Sequence, residues 1–412
     1  MTLIHRWFPG GRVDDVDGAL AAELTACDAA IRPGMRVAIA VGSRGIAELA
    51  RLVAGVVAWV KARGGEPFIV PAMGSHGGAT AEGQQVVLAG YGITEAAVGA
   101  PVRPSLAVVE LSRGEAEVPV YFAEEAFRAD GTILINRVKP HTSFTGRYES
   151  GLMKMLAIGL GKAVQARAIH ALGVRGLREV MPQVARQALR HGNVLLGVAV
   201  VENAHDELLL IRALPAAEIP EREPELLDLA RRCQPALPVD ALDLLIVDEM
   251  GKNISGLGMD TRIIGRLSIR GEAEPERPRI RLIFARDLTE ATHGNACGIG
   301  LADLVTRRLF EQVDLRATYA NVLTTGFLER GKIPLLAESD ADALAMAAAA
   351  LGRNSLEGAR IIRVQNTLRL DTLLVSPPVL EDMAGQDGIE VLGEAEDIFT
   401  PWPNNPHRPH LS

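Results

Sequence analysis

The chain has 412 residues, 48% of them hydrophobic and 4% aromatic, and a formal net charge of −8 at pH 7. That length exceeds what one hydrophobic core supports, so two domains are expected. Net negative charge without a basic stripe excludes phosphate-backbone binding, which needs Lys and Arg to displace counterions, and no nucleic-acid partner is expected.

Ala, Leu, Val and Ile together with 41 Gly suit helices packed on parallel sheets better than a β-sandwich, and the expected class is α/β. In chain order, Met1 to Trp7 lacks the apolar core of a signal peptide, because Pro9, Gly10, Gly11 and Asp14 interrupt it. Met35 to Val41 reads as a buried strand, followed by a Gly-Ser-Arg-Gly loop and an apolar helix over residues 46–63. Pro67 to Ala72 is the next strand; after it come Gly74-Ser75-His76-Gly77-Gly78 and Thr80, a helix N-cap with Glu82 in the first turn. Gly131 to Val138 is another buried strand, with a polar loop from Lys139 to Thr145 at its C-terminal end, the side on which open α/β sheets bind ligands. Helices over 178–190 and 219–232 flank a strand over 194–201, and Pro235 and Pro238 mark the domain boundary, giving an N-terminal domain 1–236 and a C-terminal domain 237–412. The second half restarts with a strand from Leu242 to Glu249 and a glycine-rich loop, then strands over 280–285 and 370–375 and helices over 301–310 and 340–351. An active-site cleft between the two α/β domains is expected. The apolar stretches 52–60 and 343–352 are too short to span a membrane, and three cysteines too far apart for a cluster motif point to a reducing cytoplasm.

Position separates the histidines that could do chemistry from the others. His76 and His141 each fall in a loop just after a buried strand, among small or polar residues, where both imidazoles could face one crevice. An imidazole titrates near neutrality and can give or take a proton, so two on opposite sides of one carbon suit a racemase or epimerase. The other reading is that each only hydrogen-bonds loop backbone. Lys154 stands in an otherwise apolar segment, Ser150 to Gly159; desolvation there would lower its pKa and free its amine for covalent chemistry. On one unbroken helix Lys154 and His170 would point to nearly opposite faces. They converge only if the chain breaks between them, and Gly159-Leu160-Gly161 supplies the place. Lys162 is a second candidate with more solvent-facing surroundings.

Together, Arg44 in Gly42-Ser43-Arg44, His76 in Gly74-Ser75-His76, His141 after Lys139-Pro140, then Lys154 and His170 resemble, in order, the functional residues of nickel-dependent lactate racemase and its homologues. The intervals of 32 residues from Arg44 to His76, 65 from His76 to His141 and 16 from Lys154 to His170 are close to that family's. The resemblance is best over residues 35–175 and thin beyond 236. It implies a nickel-pincer nucleotide (pyridinium-3,5-bisthiocarboxylic acid mononucleotide) attached to Lys154, nickel held by the pincer and by His170, and Arg44, Ser75 and Gly77 around the cofactor. One imidazole beside a soft pincer is reasonable nickel(II) chemistry. It further implies that His76 and His141 are an acid/base pair, one taking the hydroxyl proton of a 2-hydroxyacid while its hydride passes to the cofactor. Cofactor-synthesis enzymes are the implied partners. This sequence departs from the family in Val41-Gly42-Ser43-Arg44-Gly45, in the Arg147-to-Met153 approach to the lysine, in keeping only Gly159 of a Pro-Gly pair, and in a longer stretch from His141 to Lys154. These departures fall where substrate and cofactor would be contacted, so the substrate need not be lactate.

In the second domain, the loop Gly251 to Gly256 could carry Lys252 to a substrate carboxylate, as a lysine of that domain does in the family; a solvated loop lysine is the alternative. Glu202 to Glu207 reads as a polar turn rather than a metal cluster, and His407 and His410 as solvated tail residues. The Asn136-to-His141 stretch also resembles iron–sulfur-associated proteins with an Asn-x-x-Lys-x-His pattern, but these would need a cysteine module that the sequence lacks. A non-catalytic cofactor- or ligand-binding protein of the same fold is the remaining alternative.

Overall fold

The computed structural model describes residues 1–402 apart from Pro9, Asp28, Arg44 and the side chain of Thr324. Arg44, His407 and His410 therefore lie outside the described residues. Two compact units divide the chain, one of Pro9–Gln234 and one of Met1–Phe8 joined to the chain from Pro235 onward.

The strand β1 (Thr2–Arg6) pairs antiparallel with Thr372–Val375 and Ile389–Glu394. The first eight residues, expected in the N-terminal domain, thus belong to the C-terminal unit, whose core takes in the fully buried Ile4. Five residues carry no local sign of a partner strand so far along the chain, because strand formation depends on cross-strand packing more than on intrinsic preference.

The Pro9–Gln234 unit contains β2 (Arg36–Val41), β3 (Glu66–Pro71), the hairpin pair β4 (Val108–Leu111) and β5 (Val120–Ala123), β6 (Gly131–Arg137), β7 (Val194–Glu202) and β8 (Leu208–Pro215). Its five-stranded sheet has the order β3-β2-β6-β7-β8. The first four strands are mutually parallel and β8 is antiparallel at the edge. Burial on both faces explains the near-continuous apolar runs of β2 and β6: Val37 to Val41 and Ile133 to Ile135 are fully buried. The helix Leu49–Ala62 lays Leu52, Val53, Val56 and Val60 on one face. From β2 the chain goes to β3 on one side and later to β6 on the other. This reversal is a topological switch point, and the crevice beyond the C-terminal ends of β2 and β6 is where such sheets bind ligands.

The other unit is built on β9 (Ala241–Met250), β10 (Arg279–Leu288), β11 (Leu304–Thr306), β12 (Leu335–Ala337), β13 (Ile361–Val364), β14 (Thr372–Val375) and β15 (Ile389–Glu394). With β1 they form an eight-stranded sheet of order β12-β11-β10-β9-β13-β14-β1-β15. The helix expected over 301–310 is only Arg307–Glu311, because the buried run Leu304-Val305-Thr306 pairs with Phe284 and Ala285 as a parallel strand. A short apolar run looks the same in a buried strand and a buried helix. Among the described residues no helix is long and apolar enough to cross a membrane.

Candidate active site

The His76 loop leaves the end of β3, and glycine shapes it. Gly74 has φ +60°, and a Cβ there would meet the Ile158 side chain at 3.1 Å and its carbonyl at 3.3 Å. Gly77 has φ +65°, and a Cβ would sit 2.6 Å from the backbone of Gly83 and Gln84. No other residue fits both the conformation and the space. The Gly74 N–H donates to the Gly159 carbonyl (3.2 Å), tying the loop to the segment that follows Lys154. His76 is exposed and precedes a short turn, Gly77–Ala79. Its Nδ1 lies in hydrogen-bond contact with the Ser43 Oγ, from the loop after β2. A hydroxyl both donates and accepts, so Ser43 is compatible with either neutral tautomer of His76. Thr80 caps the helix Ala81–Gly90 by accepting the Gly83 N–H at 3.0 Å, as its sequence position indicates.

The His141 loop leaves the end of β6 and closes on itself. Lys139 and Ser150 exchange backbone hydrogen bonds of 2.8 and 3.1 Å at its neck. Inside sits the buried carboxylate of Glu149, which accepts the backbone N–H of His141 (2.5 Å) and of Gly146 (3.1 Å) and pairs with Arg231 at 2.6 Å. Arg231 also donates to the Gly146 carbonyl (3.0 Å). The half-buried His141 ring packs on Phe144 with centroids 4.7 Å apart. Its Nδ1 accepts the Ser143 N–H at 3.0 Å. A neutral ring held this way carries its proton on Nε2 and presents an N–H outward.

β3 and β6 flank β2, so the two strands that launch these loops are about 10 Å apart at the usual interstrand spacing.

The third part of the site is the segment from Gly151 to His170. The first turn, Leu152–Lys154, passes into a π-helical turn, Met155–Gly159. A new helix, Lys162–His170, starts with Lys162 at φ +57°. The break therefore falls at Gly161–Lys162, beside the expected glycines. Gly161 is required by packing, since a Cβ there would lie 2.3 Å from the Ala157 carbonyl. His170 is exposed on its helix, yet the crowding of its ring, and secondly the charge of Lys154, hold its pKa below the ordinary histidine value. That shift favours the neutral imidazole, the form that binds metals. Lys154 itself is half-buried. Asn136, at the end of β6, donates to the Gly151 carbonyl at 2.7 Å and anchors the segment to the strand that launches His141.

Several residues that hold this arrangement do not stand out in the sequence. Glu223 is 1% exposed and accepts the Met153 N–H at 2.9 Å, just before Lys154. Burial pushes its pKa up to about 7, against the lowering by the Met153 and Leu152 N–H groups. Lys162, expected to face solvent, is 1% exposed. Burial brings its pKa down to about 8. Its helix begins against the end of β3, which places the side chain inward and gives the amine carbonyl acceptors in place of water.

Ser75 is exposed and Gly77 half-buried in the His76 loop. Glu202, at the end of β7, pairs with Arg137 and accepts the Ala47 N–H at 2.8 Å. The Asn203 Oδ1 accepts the N–H groups of His205 (2.9 Å) and Glu207 (3.1 Å), which makes this stretch a polar turn. In the other unit, half-buried Lys252 donates to Asn321, and its backbone N–H donates to the Thr292 Oγ at 3.2 Å. Among the described residues no group of three or more His, Cys, Asp or Glu could hold a metal ion.

No protein-family model matches the sequence, and no curated protein matches it. The solved structure of the lactate racemase apoprotein from Thermoanaerobacterium thermosaccharolyticum is similar, with a TM-score of 0.53 over 86% of this chain and 91% of that one, at 12% sequence identity. The α/β chain described above thus has a fold distantly similar to that of lactate racemase.

Proposed function

We propose that this protein is an isomerase that inverts the hydroxyl-bearing carbon of a 2-hydroxyacid, with His76 and His141 as the acid/base pair. Lys154 and His170 would hold a nickel-pincer nucleotide. The observation that supports this reading is the chain break at Gly161–Lys162, which separates the turn carrying Lys154 from the helix carrying His170, with the charge of Lys154 acting on the His170 ring.

That donor set fits the cofactor: a primary amine can form the covalent tether, and one uncharged imidazole supplies the protein ligand that a metal already bound by a pincer still needs. When bound, the group supplies the acceptor and donor of the hydride at the substrate carbon. The chain supplies the proton transfers. His76, whose Nδ1–H can donate a hydrogen bond to the Ser43 hydroxyl, would accept the substrate's hydroxyl proton at Nε2. His141, with Nδ1 engaged by the Ser143 N–H, would offer an Nε2–H hydrogen bond to the substrate oxygen, and would deliver a proton as an imidazolium once its Nδ1 has left the Ser143 amide and taken up a proton. For the opposite enantiomer the roles exchange, and the His141 ring must then release the Ser143 amide. Ser75 and Gly77 are assigned to the cofactor's surroundings.

The reading is tested by producing the chain together with the cofactor-synthesis enzymes and supplying single enantiomers of a panel of 2-hydroxyacids and sugar acids. Chiral chromatography should show interconversion, and His76→Gln and His141→Gln should each lower its rate by about 10²-fold or more while nickel content stays unchanged. Nickel-loaded protein that interconverts none of the panel would instead establish a binding protein.

A further inference from the structure

Beneath the His76 loop lies a buried polar contact that the proton chemistry above does not use. Gln84, fully buried on the helix Ala81–Gly90, donates from Nε2 to the carbonyls of Gly74 (3.0 Å) and His76 (3.4 Å). Its Oε1 accepts from the Lys162 Nζ at 3.4 Å, and the same amine donates to the Pro71 carbonyl at 2.5 Å, where β3 ends and the loop begins. Lys162 is also the residue at which the chain breaks between Lys154 and His170.

An ammonium group at 1% exposure is expensive to bury, and a left-handed backbone is unfavourable for lysine. A methionine would fill the same volume without either the charge or its desolvation. What lysine adds is a donor that reaches two acceptors, one on the strand end and one on the side chain that holds the loop.

We infer that Lys162 and Gln84 are positioning residues that fix the His76 imidazole relative to the Lys154–His170 segment. The brace spans three elements: the helix that starts at the break, the end of β3, and the helix after the loop. Through it, the break between Lys154 and His170 also sets the height of His76 above the sheet. This inference takes its purpose from the reading of His76 as a proton carrier, but the contacts exist whether or not the protein turns over a substrate, and the test needs no turnover.

The experiment uses the full chain with 13Cε1-labelled histidine, the His76 and His141 resonances being assigned by His76→Gln and His141→Gln. In Lys162→Met and in Gln84→Met, the His76 resonance should shift and broaden while that of His141 keeps its position and width. The double variant should perturb His76 by less than the sum of the two single variants, because the residues share one contact. If Lys162→Met does not fold, Gln84→Met alone decides. A His76 resonance identical to wild type in the folded variants would overturn the inference. So would equal movement of His76 and His141, which would mean a general loosening. Failure of the isomerase reading would show instead as absent interconversion in a protein whose His76 still responds to these substitutions.

Discussion

The two histidine loops leave neighbouring regions of one sheet edge and are held by opposite means. The His76 loop is short and glycine-shaped; its form comes from missing side chains at Gly74 and Gly77 and from neutral hydrogen bonds out of Gln84 underneath. The His141 loop is longer and is organised from within by a charge, the Glu149 carboxylate, with Arg231 reaching in from another helix. A loop held by sterics keeps its stability when one neutral hydrogen bond is lost, although the imidazole it carries can shift. One organised around a buried carboxylate fails when its partner Arg231 goes, because the Glu149 charge has no water to turn to.

The largest test of that contrast is Glu149→Ala. It should cost about 3–5 kcal/mol in denaturant unfolding, since it leaves the His141 and Gly146 N–H groups without their acceptor at about 1–3 kcal/mol each; a cost below about 1 kcal/mol would mean that solvent reaches the Glu149 site. Two titrations rank next. Glu223 holds its proton in the folded state up to about pH 7. Unfolded, it loses that proton near the ordinary carboxylate value, so stability is full at low pH and falls as pH rises through 7, by about 3 kcal/mol in all. Glu223→Gln should remove this slope. Lys162 runs the other way. Its folded pKa of about 8 lies below the unfolded value, so the unfolded chain binds more protons between pH 8 and 10.5. Stability should climb across that window by up to about 3 kcal/mol, and Lys162→Met should flatten the climb. The smallest effect is expected from Ser43→Ala, about 1 kcal/mol or less, because Ser43 touches an exposed ring rather than a buried loop. Its informative readout is the neutral tautomer of His76, which should move, while that of His141 stays.

The same contrast governs how much was legible in the sequence. The α/β class and the strands that launch both loops follow from apolar runs of the right length between glycine-rich turns, and the Thr80 cap follows from its position. The chain break between Lys154 and His170 was legible, since the glycines at 159 and 161 offer a place for one. The supports were not. Arg231 lies 82 residues from Glu149, and Gln84 lies 78 from Lys162, separations at which sequence carries no sign of contact. The inward turn of Lys162 depends on a left-handed backbone that lysine rarely adopts and no local pattern announces. β1 and the short strand Leu304–Thr306 escaped notice for the same reason, their strand character residing in distant partners.

The central claim is that Lys154 and His170 form a cofactor seat. It is tested most directly by intact-mass and nickel analysis of the full chain made alongside the cofactor-synthesis enzymes. The account predicts a covalent adduct that Lys154→Ala abolishes, and about one nickel per chain that His170→Ala removes while the adduct remains. Unmodified wild-type protein without nickel, or an adduct that survives Lys154→Ala, would contradict it.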